Sequence, residues 1–367
     1  MLVRYLSKEL AVPLGIGIAF IFLLLFAMQF LRGADVLLGS AVTARDMAQI
    51  IFYLSPHLLV MALPVAFLMA ILLGFGRLGE DRELTALQSL GVGPWQIAVL
   101  PVAAGVLLGA LMLVFSFSAE PWGLTAVKGA VNEIIKKNVV GDVKPGVFYE
   151  DLSHLTVYAE SVEPTERRWT NVLMYDDNDP TSPVLMLSPE ARVNPAAPGE
   201  ALKLRLTAGD VHRANRSSSD YTIIHFASGE FLSGVGDSLL RKNRFRSPGD
   251  ELTPPELLQA AAAAKAEGSD PRPFLMAFHR RFGQALTPIS FALIGTALAM
   301  SRRQSRARGY LLTILGYVVY YVLSKMFENF GIQGKLPVAV AGQLHNAIFA
   351  AVGLWALSRV ARAGTVR

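Results

Sequence analysis

A chain of 367 residues that is 52% hydrophobic and only 17% charged falls short of the roughly one-quarter charged residues of a soluble domain, which excludes an ordinary water-soluble enzyme. The absence of cysteine removes disulfide frameworks, thiolate zinc sites, iron–sulfur clusters and cysteine nucleophiles. The net charge of +5 is uneven: residues 119–282 carry 19 basic and 22 acidic side chains, so the surplus sits beside the apolar runs and reflects membrane topology, not a nucleic-acid face.

Residues 10–31 form 22 positions without a charge, about 33 Å as a helix against a hydrocarbon core of about 30 Å, and so can span a bilayer. The run is too long for a cleaved signal peptide and no small-residue cleavage site follows it, so it reads as a retained anchor. Comparable runs at 51–75, 96–118, 282–300, 310–327 and 337–357 bring the number to six, three on either side of a long polar segment. Short loops carrying Arg4, Lys8, Arg77, Arg82, the basic stretch 302–308 and the C-terminal arginines hold 11 Lys and Arg, against Arg32, Arg45 and Lys335 on the other side. Both termini are therefore expected in the cytoplasm and the central segment outside it. The expected organisation is an N-terminal membrane half over 1–120, a β-rich domain with flanking helices over 121–273, and a C-terminal membrane half over 274–367.

The loop at 77–91 has the composition of a short helix. Glu80, Asp81 and Glu83 lie near its positive N-terminal end, Leu84, Leu87 and Leu90 recur at helical spacing, and Gly91 stops it. Such a helix suits docking into a partner's groove, and its acidic residues speak against a resting place on lipid headgroups. Glu83 has a plainer reading as a carboxylate stabilising the helix start.

Thirteen of the 20 prolines fall within 120–273, between short alternating stretches. Strands are expected at 155–160, 171–176, 184–193, 201–212 and 221–226, separated by Asn-, Asp-, Pro- and Gly-rich turns, as in a sandwich or jelly roll. Helices are expected at 122–137 and 257–267, the second opened by Thr253 as cap with Glu256 three residues on.

Residues for chemistry are scarce. There is no phosphate-binding loop of the G-x-x-x-x-G-K-[ST] kind and no H-E-x-x-H, and the six histidines are scattered. Asp176, Asp177 and Asp179 have calcium-binding composition but read as a solvated turn. No catalytic residue, metal or cofactor is assigned, and the chain is not read as an enzyme.

Several motifs, in this order, resemble the LptF/LptG permease family over essentially the whole chain: Arg4-Tyr5-Leu6 with Glu9, Arg82-Glu83-Leu84-Thr85 followed by Gly91, Pro121-Trp122, Arg280-Arg281 with Pro288, the basic loop 301–309, Gly334-Lys335-Leu336-Pro337, and Asn346. Arg4-Tyr5-Leu6 and Gly334-Lys335-Leu336 are closer to LptF than to LptG. The resemblance implies a membrane α-helical fold, six transmembrane helices in a 3+3 arrangement with an inserted periplasmic β-jelly-roll-like domain. It also implies a permease of the Gram-negative inner membrane, paired with an LptG-like paralogue on a cytoplasmic LptB-like ABC ATPase dimer. Lipopolysaccharide would be extracted from the periplasmic leaflet and handed, with an LptC-like single-span protein, to an LptA-like bridge. Glu83, Leu84, Leu87 and Gly91 then become the coupling residues toward the ATPase.

A lipid with anionic phosphates and several acyl chains needs apolar walls and a cationic rim, for which Arg32 at the outer end of span one and Lys325 in span five are the candidates. Arg32 has the alternative of snorkelling to the headgroups, and Lys325 that of neutralisation by Glu328 three residues on. Other readings are an ABC-linked permease for a different amphiphile, a mechanotransmission permease, whose large domain follows the first span, and an intramembrane enzyme, which needs ligands or paired carboxylates inside the spans.

Overall fold

The computed structural model describes residues 2–32, 43–142, 145–152, 155–163, 168–177, 182–194, 203–214, 221–232, 248–300 and 306–364. Among them, six helices are long and apolar enough to cross a membrane. In chain order α1 is Leu2–Arg32, α2 Ala44–Glu80, the short α3 Glu83–Ser89, and α4 Pro94–Val114, which passes through a π-helical turn at Phe115–Ala119 into α5, Glu120–Asp142. After the sheet come α6 Pro248–Glu251, α7 Pro254–Ala266, α8 Arg272–Ala299, α9 Arg306–Ile332, α10 Val338–Ala341 and α11 Leu344–Gly364.

The sequence reading separates the third span from a helix at 122–137, whereas the backbone is helical without a break from Pro94 to Asp142. Pro121 lacks an N–H and crowds the preceding turn, and the wide π turn before it absorbs that mismatch without ending the helix. The last apolar run divides instead: Pro337 caps the four-residue α10, and α11 begins only at Leu344. Helix α7 starts where expected, with the Thr253 N–H and hydroxyl both donating to Glu256 Oε2 at 2.7 Å. Those two bonds favour the ionised carboxylate and hold the Glu256 pKa below its usual range.

The chain divides into two compact units, one of Met1–Met28, Leu54–Leu124 and Ser247–Arg367, the other of Gln29–Tyr53 and Thr125–Arg246. In the first unit, Phe67, Leu68, Ile71, Leu72, Phe75 and Leu78 on α2 form the centre of the core, against Phe291 on α8, Tyr320 on α9, Phe349 on α11 and Leu6 and Leu10 on α1. Helices α4 and α8 meet through small residues. A Cβ on Gly105 would lie 2.9 Å from the Pro288 carbonyl oxygen, and one on Gly109 would collide with that of Ala285.

The second unit contains β1 Phe148–Leu152, β2 Leu155–Glu163, β3 Arg168–Asp176, β4 Val184–Asn194, β5 Lys203–Ala214 and β6 Tyr221–Leu232, paired antiparallel in chain order. The five expected strands are present. The sixth, β1, shows no alternation in Phe-Tyr-Glu-Asp-Leu and is an edge strand with an irregular register. The jelly-roll expectation is refined accordingly: the described strands make one up-and-down sheet, because each connection joins neighbours and none crosses as a Greek key does. Val157, Trp169, Val172, Met174, Met186, Ala191, Leu204 and Leu206 are buried. The pairing is interrupted on consecutive strands near Asn171, Pro189 and Ala208, where Asn171 and Ala208 take φ of 46° and 48° and Pro189 has no N–H to give. A cavity of about 760 Å³ opens along this crease, between Tyr158, Leu173, Leu187 and Phe226.

Candidate functional site

The loop between α2 and α4 is organised differently from a single helix over 77–91. Helix α2 continues to Glu80, and Arg82, at φ 58°, turns the chain so that a new seven-residue helix starts at Glu83. Leu84 is only 4% exposed and packs into the core shared with Leu6, Leu10, Leu78 and Ile97. Leu87 is half-buried, and Leu90 is 81% exposed. The three leucines therefore do not form one outward edge. Leu84 is the anchor of the loop, and Leu90, at the C-cap, is its outermost apolar group. Gly91, at φ +90°, supplies the left-handed residue that ends the helix, with its N–H donating to the Gln88 carbonyl at 3.1 Å and that of Val92 to Leu87 at 3.0 Å.

Glu83 is not a helix cap: α3 has no side-chain cap bond, and Glu83 Oε2 accepts the Tyr5 hydroxyl at 2.5 Å. One turn further along α1, Glu9 Oε1 accepts from Arg77 Nη2 at 2.8 Å. The opening motif of the sequence and its loop motif, 78 positions apart at Tyr5 and Glu83, are thus the two sides of one polar junction. Leu6 and Leu10, buried between them, hold α1 in place. The pattern Tyr5-Leu6, Glu9-Leu10 carried this signal as one apolar and one polar position per helical turn, but nothing in it named Glu83 and Arg77 as partners.

A second polar cluster lies where the chain leaves and re-enters the membrane helices of the first unit. Lys325 Nζ donates to Glu328 Oε2 at 2.7 Å, the pair that the spacing suggested, while Glu328 Oε1 also accepts from Arg280 Nη1 at 3.2 Å. Arg280 Nη2 continues the chain of charges to Asp250 on α6. Next to it, His57 Nδ1 on α2 meets Glu120 Oε1, at the start of α5, at 2.7 Å. Arg281 is 1% exposed and caps the backbone, its Nη2 donating to the carbonyls of Asp250 at 3.2 Å and of Leu252.

Ligand atoms of His57, Glu120 and Asp250 lie within 4.8 Å of one another, a spacing open to a cation. Asp250, however, is already paired with a guanidinium and Glu120 with the imidazole. The cluster has the character of an ion-pair network more than of a metal centre. It also includes Lys325, which is 43% exposed despite its partner and keeps donors for an outside anion.

Arg32 closes α1, and its side chain lies outside the described residues, as do Asp179 and the side chains of 301–307. Asp176 and Asp177 follow one another at the end of β3. Gly334 and Lys335 form a tight turn between α9 and the four-residue α10, with Gly334 at φ +75° and the Lys335 ammonium 5.3 Å from the Phe330 ring centre.

No match is found among curated proteins. The sequence model of the lipopolysaccharide export system permease LptF/LptG matches residues 4–359, nearly the whole chain. With six helices able to span a membrane and a β-sheet unit inserted between the third and fourth, the chain belongs to the LptF/LptG family of lipopolysaccharide export permeases, multipass inner-membrane components of a transporter and not catalytic enzymes.

Proposed function

We propose that this chain is the LptF-like member of a permease pair, which draws lipopolysaccharide sideways out of the periplasmic leaflet and passes it toward a periplasmic β-jelly-roll bridge, driven by a separate cytoplasmic ATPase dimer. The observation that carries the reading is the short α3 beside α2 and α4, tied down by Leu84 and presenting Glu83, Gln88, Ser89 and Leu90 at one end of the bundle. A helix anchored from inside and polar outside transmits a push from a docked partner to the helices on either side. In this reading Glu83 meets a cation of the ATPase, while Leu84, Leu87 and Gly91 give the loop its shape. Arg4-Tyr5-Leu6 and Gly334-Lys335-Leu336 favour the LptF-like assignment. The apolar faces of α1 and α9 support a second permease and lipid as their neighbours, since only 11% of the most apolar stretch of each is buried within the chain. Arg32 and Lys325 supply the cationic rim for lipid phosphates, with single-span LptC-like and bridging LptA-like proteins receiving the cargo.

Purification from the native membrane in mild detergent, followed by intact-complex mass spectrometry, is expected to recover one paralogous permease, two ATPase subunits and bound lipopolysaccharide. Glu83→Ala should then cut export by tenfold or more while the chain still inserts; unchanged export in that variant removes the coupling role.

A further inference from the structure

We propose that Tyr5 is a positioning residue for Glu83, holding the coupling carboxylate in one rotamer so that its free oxygen faces the ATPase. The inference rests on the reading of α3 as the coupling element. The acidic side chain at the first position of α3 makes no bond to its own helix and is held from another one.

A glutamate at the start of a short helix ordinarily turns toward the unpaired N–H groups of the first turn, to which the helix dipole attracts it. Here Arg82 enters α3 in the left-handed conformation without a side-chain cap, and Glu83 reaches across to the Tyr5 hydroxyl at 2.5 Å, at the short end for a bond from a hydroxyl to a carboxylate. Tyr5 is itself held firmly. The next residue, Leu6, and Leu10 one turn later are buried in the same core as Leu84, and Glu9 is fastened to Arg77 at 2.8 Å. The phenol is therefore fixed by the packing of α1, and the carboxylate by the phenol.

The junction remains open to a partner, because Tyr5 is 38% exposed and Glu83 is not buried. An ionised carboxylate has about four acceptor positions, and one hydroxyl occupies one of them. A guanidinium or ammonium group of the ATPase can join Glu83 without displacing Tyr5, and finds it already ordered. Pre-ordering saves the cost of immobilising one rotamer-rich side chain, which corresponds to about a three- to tenfold gain in affinity.

The test uses the assembled exporter: this chain, its partner permease and the ATPase, purified as wild type, Tyr5→Phe, Glu83→Ala and the double variant. Affinity of the ATPase for the permease pair is measured by titration, and the ratio of lipid released to ATP hydrolysed is measured after reconstitution. Tyr5→Phe keeps the ring and its packing, and equal insertion and thermal midpoint serve as the check on folding. The expected result is about a three- to tenfold weaker association and a lower transport ratio for Tyr5→Phe, a larger loss for Glu83→Ala, and no further loss in the double variant. Wild-type behaviour of Tyr5→Phe, or a Tyr5→Phe loss that adds in full to that of Glu83→Ala, overturns the positioning role. Wild-type behaviour of Glu83→Ala is a different failure, since it removes the coupling reading and the inference with it.

Discussion

Arg280 bridges two carboxylates from different helices, Asp250 on α6 and Glu328 on α9, each less than one-fifth exposed. Removing this shared cation takes from partly buried Asp250 its guanidinium partner and leaves Glu328 with Lys325 alone. Arg280→Ala is therefore expected to cost about 3–5 kcal/mol, read as a fall in the detergent-unfolding midpoint, whereas Lys325→Gln, at a more exposed site, changes it little. The structure also alters what a charge swap should do. For an isolated pair, exchanging Lys325 and Glu328 would preserve the attraction. Here the exchange sets a lysine against Arg280, so the swapped chain should be less stable than Lys325→Gln, and equal stability would show that the Arg280 bond contributes nothing. Tyr320, Thr287 and Asn346 illustrate the opposite kind of buried polarity. Tyr320 and Thr287 share a bond of 2.5 Å, and Asn346 Nδ2 donates to the Gly283 carbonyl at 2.8 Å, so this network joins α8, α9 and α11 without any charge.

At the scale of elements, the close crossing of α4 and α8 depends on two glycines one turn apart. A side chain at position 109 meets the backbone of Ala285, which has no rotamer with which to move away. Gly109→Val should force the helices apart and destabilise the chain by about 1–3 kcal/mol, measured by thermal unfolding in detergent beside Gly129→Ala, where nothing lies within 4 Å of the added methyl. Helix α3 depends on a different kind of support. Seven residues are too few for stability by helix propensity, and the loop is held by Leu84 in the core and by Tyr5 and Gly91 at its two ends.

For the whole molecule, the lack of cysteine permits a direct test of the proposed orientation. Single cysteines at Ser89, in α3, and at Ser269, after α7, replace exposed residues on opposite sides of the expected topology. A membrane-impermeant maleimide added to spheroplasts should label Ser269→Cys at once and Ser89→Cys only after the inner membrane is opened. The reverse pattern inverts the assignment that places the termini in the cytoplasm and the β-unit in the periplasm.

Much of the architecture was legible in the residues because it follows from local, periodic demands. A run of about twenty apolar positions has to be helical in hydrocarbon, and alternating stretches such as 203–207 have one wet and one dry face, so both kinds of element announce themselves. The Thr253–Glu256 cap and the Lys325–Glu328 pair lie within one turn and were readable for the same reason. The edge strand β1 lacks alternation, and the continuous helix from α4 to α5 depends on a π turn that leaves no mark in composition. Order of motifs along the chain was sufficient to suggest the family. What only the tertiary structure decided is which of those motifs meet: Tyr5 with Glu83, Glu9 with Arg77, and Arg280 with both Asp250 and Glu328. These partners lie 30 to 78 positions apart, and at such separation pairing is set by how the helices pack, for which hydrophobic period supplies a face but not a neighbour.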